Sequence, residues 1–151
     1  MSEEKREEQA EEFACRFRQA YGLTFDPENI EALRLRASLI IEETGEVGEA
    51  VDSVYLAMQA GERPSKEEVA HLLKELADLQ YVLSGFAVAF GLPLQAAVDE
   101  VHESNMTKIG DDGMAKYSPE GKVLKGPHYR PADMEAVIDE YLHTNYKKED
   151  E

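Results

Sequence analysis

Residues 42–49 read Glu-Glu-Thr-Gly-Glu-Val-Gly-Glu and place four carboxylates inside a segment that is otherwise apolar. A second acidic pair, Glu75 and Asp78, follows with helical spacing in another apolar segment. Crowded carboxylates repel one another and lose hydration when they are buried, so such a group needs a compensating positive charge. Because Mg²⁺ and Mn²⁺ prefer hard oxygen ligands, both acidic groups are candidate ligands for a divalent cation.

The first acidic group is predicted to lie on one side of a long helix over residues 27–60. At about 100° per residue, an arc of about 120° holds all four acids, which are Glu42, Glu43, Glu46 and Glu49. The opposite face, from Leu33 to Met58, is apolar as well, and a helix that is apolar on two sides is buried on both. In a chain of this size, packing one face against a second subunit is the simplest way to achieve that.

The second acidic group lies at the margin of the apolar face of a predicted helix over residues 66–90. From that position Glu75 and Asp78 can face the acids of the preceding helix, as in other bundles that bind metals through carboxylates. The commonest alternative for a Glu-rich helix is a solvated face with basic partners. Lys74 offers such a partner to Asp78, whereas residues 42–49 contain no basic residue.

The remaining pattern predicts an all-α fold, a four-helix-bundle core with a small C-terminal hairpin and helix extension. Besides the two acidic helices, helices are predicted over residues 2–20 and 93–106. Residues 116–124 are predicted to form a short β-hairpin, and residues 131–142 a last helix. We expect one domain over residues 1–151, with a core of about 10–109 and an extension of about 110–145.

Composition excludes several classes of protein. The chain has 151 residues and a formal charge of −16, which argues against binding to nucleic acid or to an anionic membrane surface. The single cysteine, Cys15, allows no intrachain disulfide and has no suggested histidine partner. No signal peptide and no membrane-spanning apolar run are evident, so we expect a cytoplasmic protein.

The predicted fourth helix ends in the motif Ser-Asn-Met-Thr-Lys at residues 104–108. Its inward stripe continues to Asn105 and then Lys108, which suggests contact with a ligand. An asparagine that caps the helix end and a lysine that reaches solvent explain the same spacing equally well.

Together these motifs resemble those of the all-α nucleoside triphosphate pyrophosphohydrolases. The pattern Glu-Glu-x-x-Glu at 42–46, then Glu-x-x-Asp at 75–78, is similar to their metal-binding signature, and residues 101–108 look like the end of their fourth helix. Residues 116–117 and 121–131 resemble the extension of a MazG-like branch that is related to dimeric dUTPases.

That resemblance implies Mg²⁺-dependent cleavage of a nucleoside triphosphate, with Mn²⁺ as a possible substitute, to the monophosphate and pyrophosphate. It implies dUTP or a related non-standard nucleotide as substrate, with phosphoribosyl-ATP as the alternative, and a homodimer or a dimer of dimers. The implied metal ligands are Glu42, Glu43, Glu46, Glu75 and Asp78, with Glu49 one turn beyond the signature. Candidate substrate contacts are Asn105 for the nucleotide and, for the phosphates, Lys108, Lys122, Lys125 and Arg130.

The chemistry of hydrolysis fits these residue types. A triphosphate is anionic and cannot approach bare carboxylates, whereas a bridging divalent cation neutralises both. A carboxylate that is not fully used by the metal can orient or deprotonate water, and Glu46 or Glu43 is the candidate base. The base of the nucleotide would meet apolar or aromatic residues, with Phe13, Phe17 and Tyr21 as candidates that equally suit the core.

Two other functions remain compatible with the sequence. One is a non-enzymatic helical dimer that binds a divalent metal for stability or regulation. The other is an acidic interaction module, for which Mg²⁺ would leave the melting temperature unchanged.

Overall fold

The computed structural model describes residues 23, 25 and 27–146, with the side chains described up to residue 144. A 3-10 turn at Pro27–Asn29 leads into four α-helices, which we number α1 to α4. They are α1 (Ile30–Gln59), α2 (Lys66–Ala89), α3 (Leu94–Met106) and α4 (Met134–Tyr146). This confirms the all-α fold class. The predicted helix over residues 2–20, with Phe13, Cys15 and Phe17, lies outside the described residues, as does Tyr21.

The connection between α1 and α2 is short and firmly capped. Gly61 adopts a φ of 78°, which favours glycine, directly after α1. Ser65 then begins α2 with a capping box: its hydroxyl accepts the Glu68 N–H at 3.1 Å, and the Glu68 carboxylate accepts the Ser65 N–H at 2.7 Å. The Ser65 N–H is the main cause of a lowered pKa at Glu68. Arg36 lies against Gly85, whereas Ser53 lies against Glu68, so α1 and α2 run antiparallel.

Helices α1 and α2 pack along their length, and small residues bring them close. Ala50 of α1 and Gly85 and Ala87 of α2 are buried. A β-carbon added at Gly85 would lie 3.1 Å from Nη1 of Arg36, so this glycine leaves room for the guanidinium of the facing helix. At the end of the pair, Phe90 is 1% exposed and stacks on Phe25 with ring centroids 4.9 Å apart.

Large apolar side chains remain exposed on both of these helices. In α1, Ile41 is 73% and Leu35 58% exposed, and in α2 Leu73 is 67% exposed. Helix α1 is therefore apolar on more than one side, as its sequence indicates. Much of the apolar surface of α1 is exposed in the single chain.

The chain divides into two compact units, Met1–Gly91 and Leu92–Glu151, and each is described by itself. In the second unit, α3 packs against α4 and the intervening segment forms the extension. The predicted hairpin is present as one antiparallel bridge between Tyr117 and Val123, closed at Gly121 with a φ of 84°. The last helix begins at Met134 rather than 131 and continues to Tyr146. The prediction of a single domain stays a prediction.

Candidate metal centre and nucleotide site

Three carboxylates from two helices converge in the first unit. Glu43 of α1 and Glu75 and Asp78 of α2 each offer an oxygen, and these oxygens lie within 4.8 Å of one another. The spacing of three residues between Glu75 and Asp78 places both on the side of α2 that faces α1. These three acids from two helices therefore lie close together, as the sequence predicts, and their role as metal ligands stays a prediction.

The cluster is buried unevenly. Glu75 is 3% exposed, whereas Glu43 and Asp78 are half-buried. One oxygen of Glu43, Oε2, is buried without a hydrogen-bond partner in the described part of the chain. A buried carboxylate oxygen without a partner is costly, and such groups in a native fold call for an explanation such as a bound ion.

Glu46 lies one helical turn after Glu43 and joins the same group. Its pKa is raised, mainly because its carboxyl shares a hydrogen bond with Glu75, and also through desolvation and the nearby charge of Glu43. Sharing of a proton between neighbouring acids is expected where two carboxylates cannot both ionise at low cost.

The other two acids of the first group have a different environment. Glu42 and Glu49 are exposed and are not among the three converging residues. Their assignment as metal ligands stays a prediction.

A basic side chain already lies against the cluster. Lys74 Nζ is 2.8 Å from Asp78 Oδ2 and 3.1 Å from Glu75 Oε2, although Lys74 itself is 60% exposed. These bonds, with Asp78 as the larger cause, raise the pKa of Lys74. Lys74 therefore pairs with Asp78, as expected for a solvated acidic face with basic partners. The acids nevertheless also converge on one another.

His71 is a further neighbour that the sequence interpretation left unassigned. Its Nε2 lies 3.4 Å from Glu75 Oε1, and the ring is 61% exposed. The sequence contains a signal for this contact, because His71 and Glu75 are four residues apart on a helix and are therefore neighbours. His71 therefore lies at the edge of the acidic cluster, next to its most buried carboxylate.

The candidate substrate contacts all belong to the second unit. Asn105 is exposed on the last turn of α3, and Lys108 is half-buried in the turn that follows. Lys122 and Lys125 are exposed in the extension, and Lys125 Nζ lies 4.5 Å from the ring centroid of Tyr129. Their approach to a triphosphate stays a prediction.

Arg130, also predicted to meet the phosphates, already has an ionic partner. Its guanidinium forms a two-pronged ion pair with the carboxylate of Glu100, with Nη2 and Oε2 3.3 Å apart. This pair raises the pKa of Arg130 and lowers that of Glu100. No pattern in the sequence indicates this ion pair, because its two residues lie 30 positions apart in the chain.

The fold and the cluster define a class: an all-α protein with carboxylates from two packed helices arranged to hold a cation. The model of the phosphoribosyl-ATP pyrophosphohydrolase family matches residues 11–105 of the chain. The chain belongs to that family and is a pyrophosphohydrolase of the MazG-like superfamily. No curated protein matches the chain.

The described residues show no single helix that is both long and apolar enough to cross a membrane. Among the same residues, α2 and α3 meet that test when taken as a pair, by length and composition alone.

Proposed function

We propose that this pyrophosphohydrolase cleaves a nucleoside triphosphate between the α and β phosphates, releasing the nucleoside monophosphate and pyrophosphate. The observation that carries the proposal is the convergence of Glu43, Glu75 and Asp78 between α1 and α2. A divalent cation, Mg²⁺ first and Mn²⁺ second, is the cofactor that such oxygen donors suit. The orphaned Oε2 of Glu43 supports this fit, because a cation would supply its missing partner.

The residues of the cluster would divide the work. Glu43, Glu75 and Asp78 would hold the cation, which, when bound, neutralises charge on the phosphates and polarises their phosphorus–oxygen bonds. Glu46 is the preferred general base, because its carboxyl lies against Glu75 but is not one of the three converging carboxylates. As water bonds to phosphorus, its proton passes to Glu46, and the anhydride bond breaks with its electron pair leaving on pyrophosphate. Glu43 is the alternative base.

dUTP, or a related non-standard nucleotide, is the proposed substrate. Support comes from residues 116–117 and 121–131, which resemble the extension of the dUTPase-related branch. That segment lies beyond residue 105, where the family match ends, so it is an addition to the matched domain. A nucleotide-cleansing role of this kind acts on the nucleotide pool of the cytoplasm, which is the proposed location.

Phosphoribosyl-ATP is the second candidate substrate, and the family match favours it. The test is a panel of dUTP, the four standard deoxynucleoside triphosphates and phosphoribosyl-ATP, each with Mg²⁺, with pyrophosphate release as the readout. A kcat/KM for dUTP at least tenfold above the values for all other substrates supports the first candidate. A kcat/KM for phosphoribosyl-ATP at least tenfold above the values for all others supports the second. No release from any of them, by protein with a helical circular-dichroism spectrum, would contradict the enzymatic proposal.

A homodimer or a dimer of dimers is also proposed. The exposed apolar side chains of α1 and α2, such as Ile41 and Leu73, support it, because an exposed apolar surface of this extent marks interaction sites. Light scattering after size exclusion tests the mass, and Ile41→Asp should shift the protein towards the monomer. A wild-type monomer at high micromolar concentration would overturn this part of the proposal.

A further inference from the structure

Two hydroxyl groups of the 104–108 motif bind the backbone of a single distant residue, Arg130. The buried Ser104, 4% exposed, donates from Oγ to the Arg130 carbonyl at 2.7 Å. The Arg130 N–H donates to Thr107 Oγ1 at 2.8 Å, and that hydroxyl donates to the Ser104 carbonyl at 2.7 Å. Both backbone groups of Arg130 are thus tied to the end of α3.

The side chain of Arg130 is tied to the same helix one turn earlier. Glu100 accepts the guanidinium through both carboxylate oxygens and also accepts the Asp133 N–H at 2.9 Å. Asp133 in turn accepts the Ala136 N–H at 3.0 Å and so begins α4. We call Glu100, Ser104, Thr107 and Arg130 the latch, because they join the extension to α3 through backbone and side chain together.

The extension also lies directly on the backbone of the motif. A β-carbon added at Gly126 would be 2.7 Å from the carbonyl oxygen of Lys108, a distance that no real side chain tolerates. Only glycine lets the chain pass so close at this point. The extension therefore contacts the motif at the Lys108 backbone and, through Arg130, at Ser104 and Thr107, which precede Asn105 and Lys108 in the sequence.

We propose that Ser104 and Thr107 are positioning residues, which fix Asn105 and Lys108 for the nucleoside triphosphate by clamping the extension onto α3. Arg130 then acts through the latch and is not a phosphate ligand. Side chains that are already held in their binding position lose less conformational entropy when substrate binds. A latch that holds them in place therefore lowers KM. The proposal rests on the proposed pyrophosphohydrolase function, in which Asn105 would contact the nucleotide and Lys108 the phosphates.

The matched pair Thr107→Val and Thr107→Ser tests the positioning role. Valine keeps the shape and removes the hydroxyl, whereas serine keeps the hydroxyl. We expect KM for the best triphosphate of the panel to rise about 3–10-fold in Thr107→Val with kcat changed less than twofold, and to stay near the wild-type value in Thr107→Ser. A lower melting temperature with unchanged KM in Thr107→Val would show a purely structural role and overturn the proposal.

A double-mutant cycle of Glu100→Gln and Arg130→Gln tests whether Arg130 acts through the latch. If it does, both single variants raise KM to a similar degree and the double variant is no worse than either. If Arg130 binds phosphate, Glu100→Gln frees the guanidinium and lowers or leaves KM, while Arg130→Gln alone raises it. The second pattern contradicts the proposal.

Limited trypsin digestion gives a readout that needs no activity. Lys122 and Lys125 are exposed cleavage sites in the extension, so a released latch should speed cleavage there several-fold in Thr107→Val and Glu100→Gln. Equal resistance of wild type and both variants would contradict the latch. If the wild type hydrolyses no triphosphate, the proposed function fails, yet this digestion still decides whether the latch holds the extension.

Discussion

The acidic cluster between α1 and α2 and the latch at the end of α3 both gather charged groups, but they satisfy them differently. In the cluster, Glu43, Glu75 and Asp78 converge with Lys74 at their edge, and one oxygen of Glu43 is buried without a partner in the described chain. In the latch, the Glu100 carboxylate meets a guanidinium and a backbone N–H. A fully bonded network holds a chain in place, whereas an incomplete one can be completed by a ligand.

The largest expected effect is a loss of kcat when an acid of the cluster is replaced. Glu46→Gln removes the proposed base and should lower kcat by about 10²–10⁴-fold. The melting temperature should hold or rise, because one carboxyl leaves a group of like charges. Glu31→Gln, on the same helix and paired only with Arg34 in the described structure, is the control that should leave kcat unchanged. Activity near wild type in Glu46→Gln would assign the base elsewhere, with Glu43 tested next.

The second prediction concerns stabilisation by metal. A cation that binds only the folded chain stabilises it by about 2.7 kcal/mol at 100 times its dissociation constant. We expect Mg²⁺ to raise the melting temperature of the wild type and to have much less effect on Glu75→Gln. A thermal-shift assay of protein stripped of divalent metal and then titrated with Mg²⁺ measures the change in melting temperature. No shift in the wild type would favour the acidic interaction module instead.

The third prediction is that Lys74 weakens the binding of metal to the acidic cluster. Its ammonium bonds Asp78 and Glu75, so it competes with a cation for the same oxygens. Lys74→Met should therefore lower the melting temperature without metal and tighten Mg²⁺ binding several-fold, as measured by calorimetry. Lys66→Met, on the first turn of the same helix, is the control. Weaker metal binding in Lys74→Met would show that the lysine supports the site.

The smallest expected effect is a pH dependence on the latch side. The pKa of Glu100 lies below its ordinary value of 4.5, mainly because Arg130 donates to it. Its contribution to stability is therefore complete above pH 4.5 and is lost as the pH falls through the lowered pKa. Urea unfolding should show wild type more stable than Glu100→Gln at pH 6, with the difference shrinking below pH 4.5. A difference that is constant with pH would contradict the ion pair.

The sequence predicts much of the fold because local signals agree with the packing. The proline at 27, the Ser65 cap and Gly91 bound helices within about one to three residues of their observed limits. The hairpin prediction holds as a single bridge. The predicted start of the last helix at 131 is early because the segment before Met134 is used by the latch, with the Asp133 N–H on Glu100.

The site is predicted less completely, for a physical reason. Spacing on a helix reveals which acids share a face, and it brings Glu43, Glu75 and Asp78 together correctly. It cannot tell which acids of the 42–49 group reach the facing helix, because that depends on rotation of the packed pair. It also cannot reveal partners distant in the chain, so the pairing of Arg130 with Glu100 appears only in three dimensions.

The most direct test of the central claim is the position of Mn²⁺ in crystals grown with a non-hydrolysable triphosphate analogue, located by anomalous scattering. We expect an anomalous peak within coordination distance of carboxylate oxygens of Glu43, Glu75 and Asp78, with the phosphates bound to the same ion. A peak bound only elsewhere, or no peak at saturating Mn²⁺ with Lys74 still on Asp78 and Glu75, would contradict it.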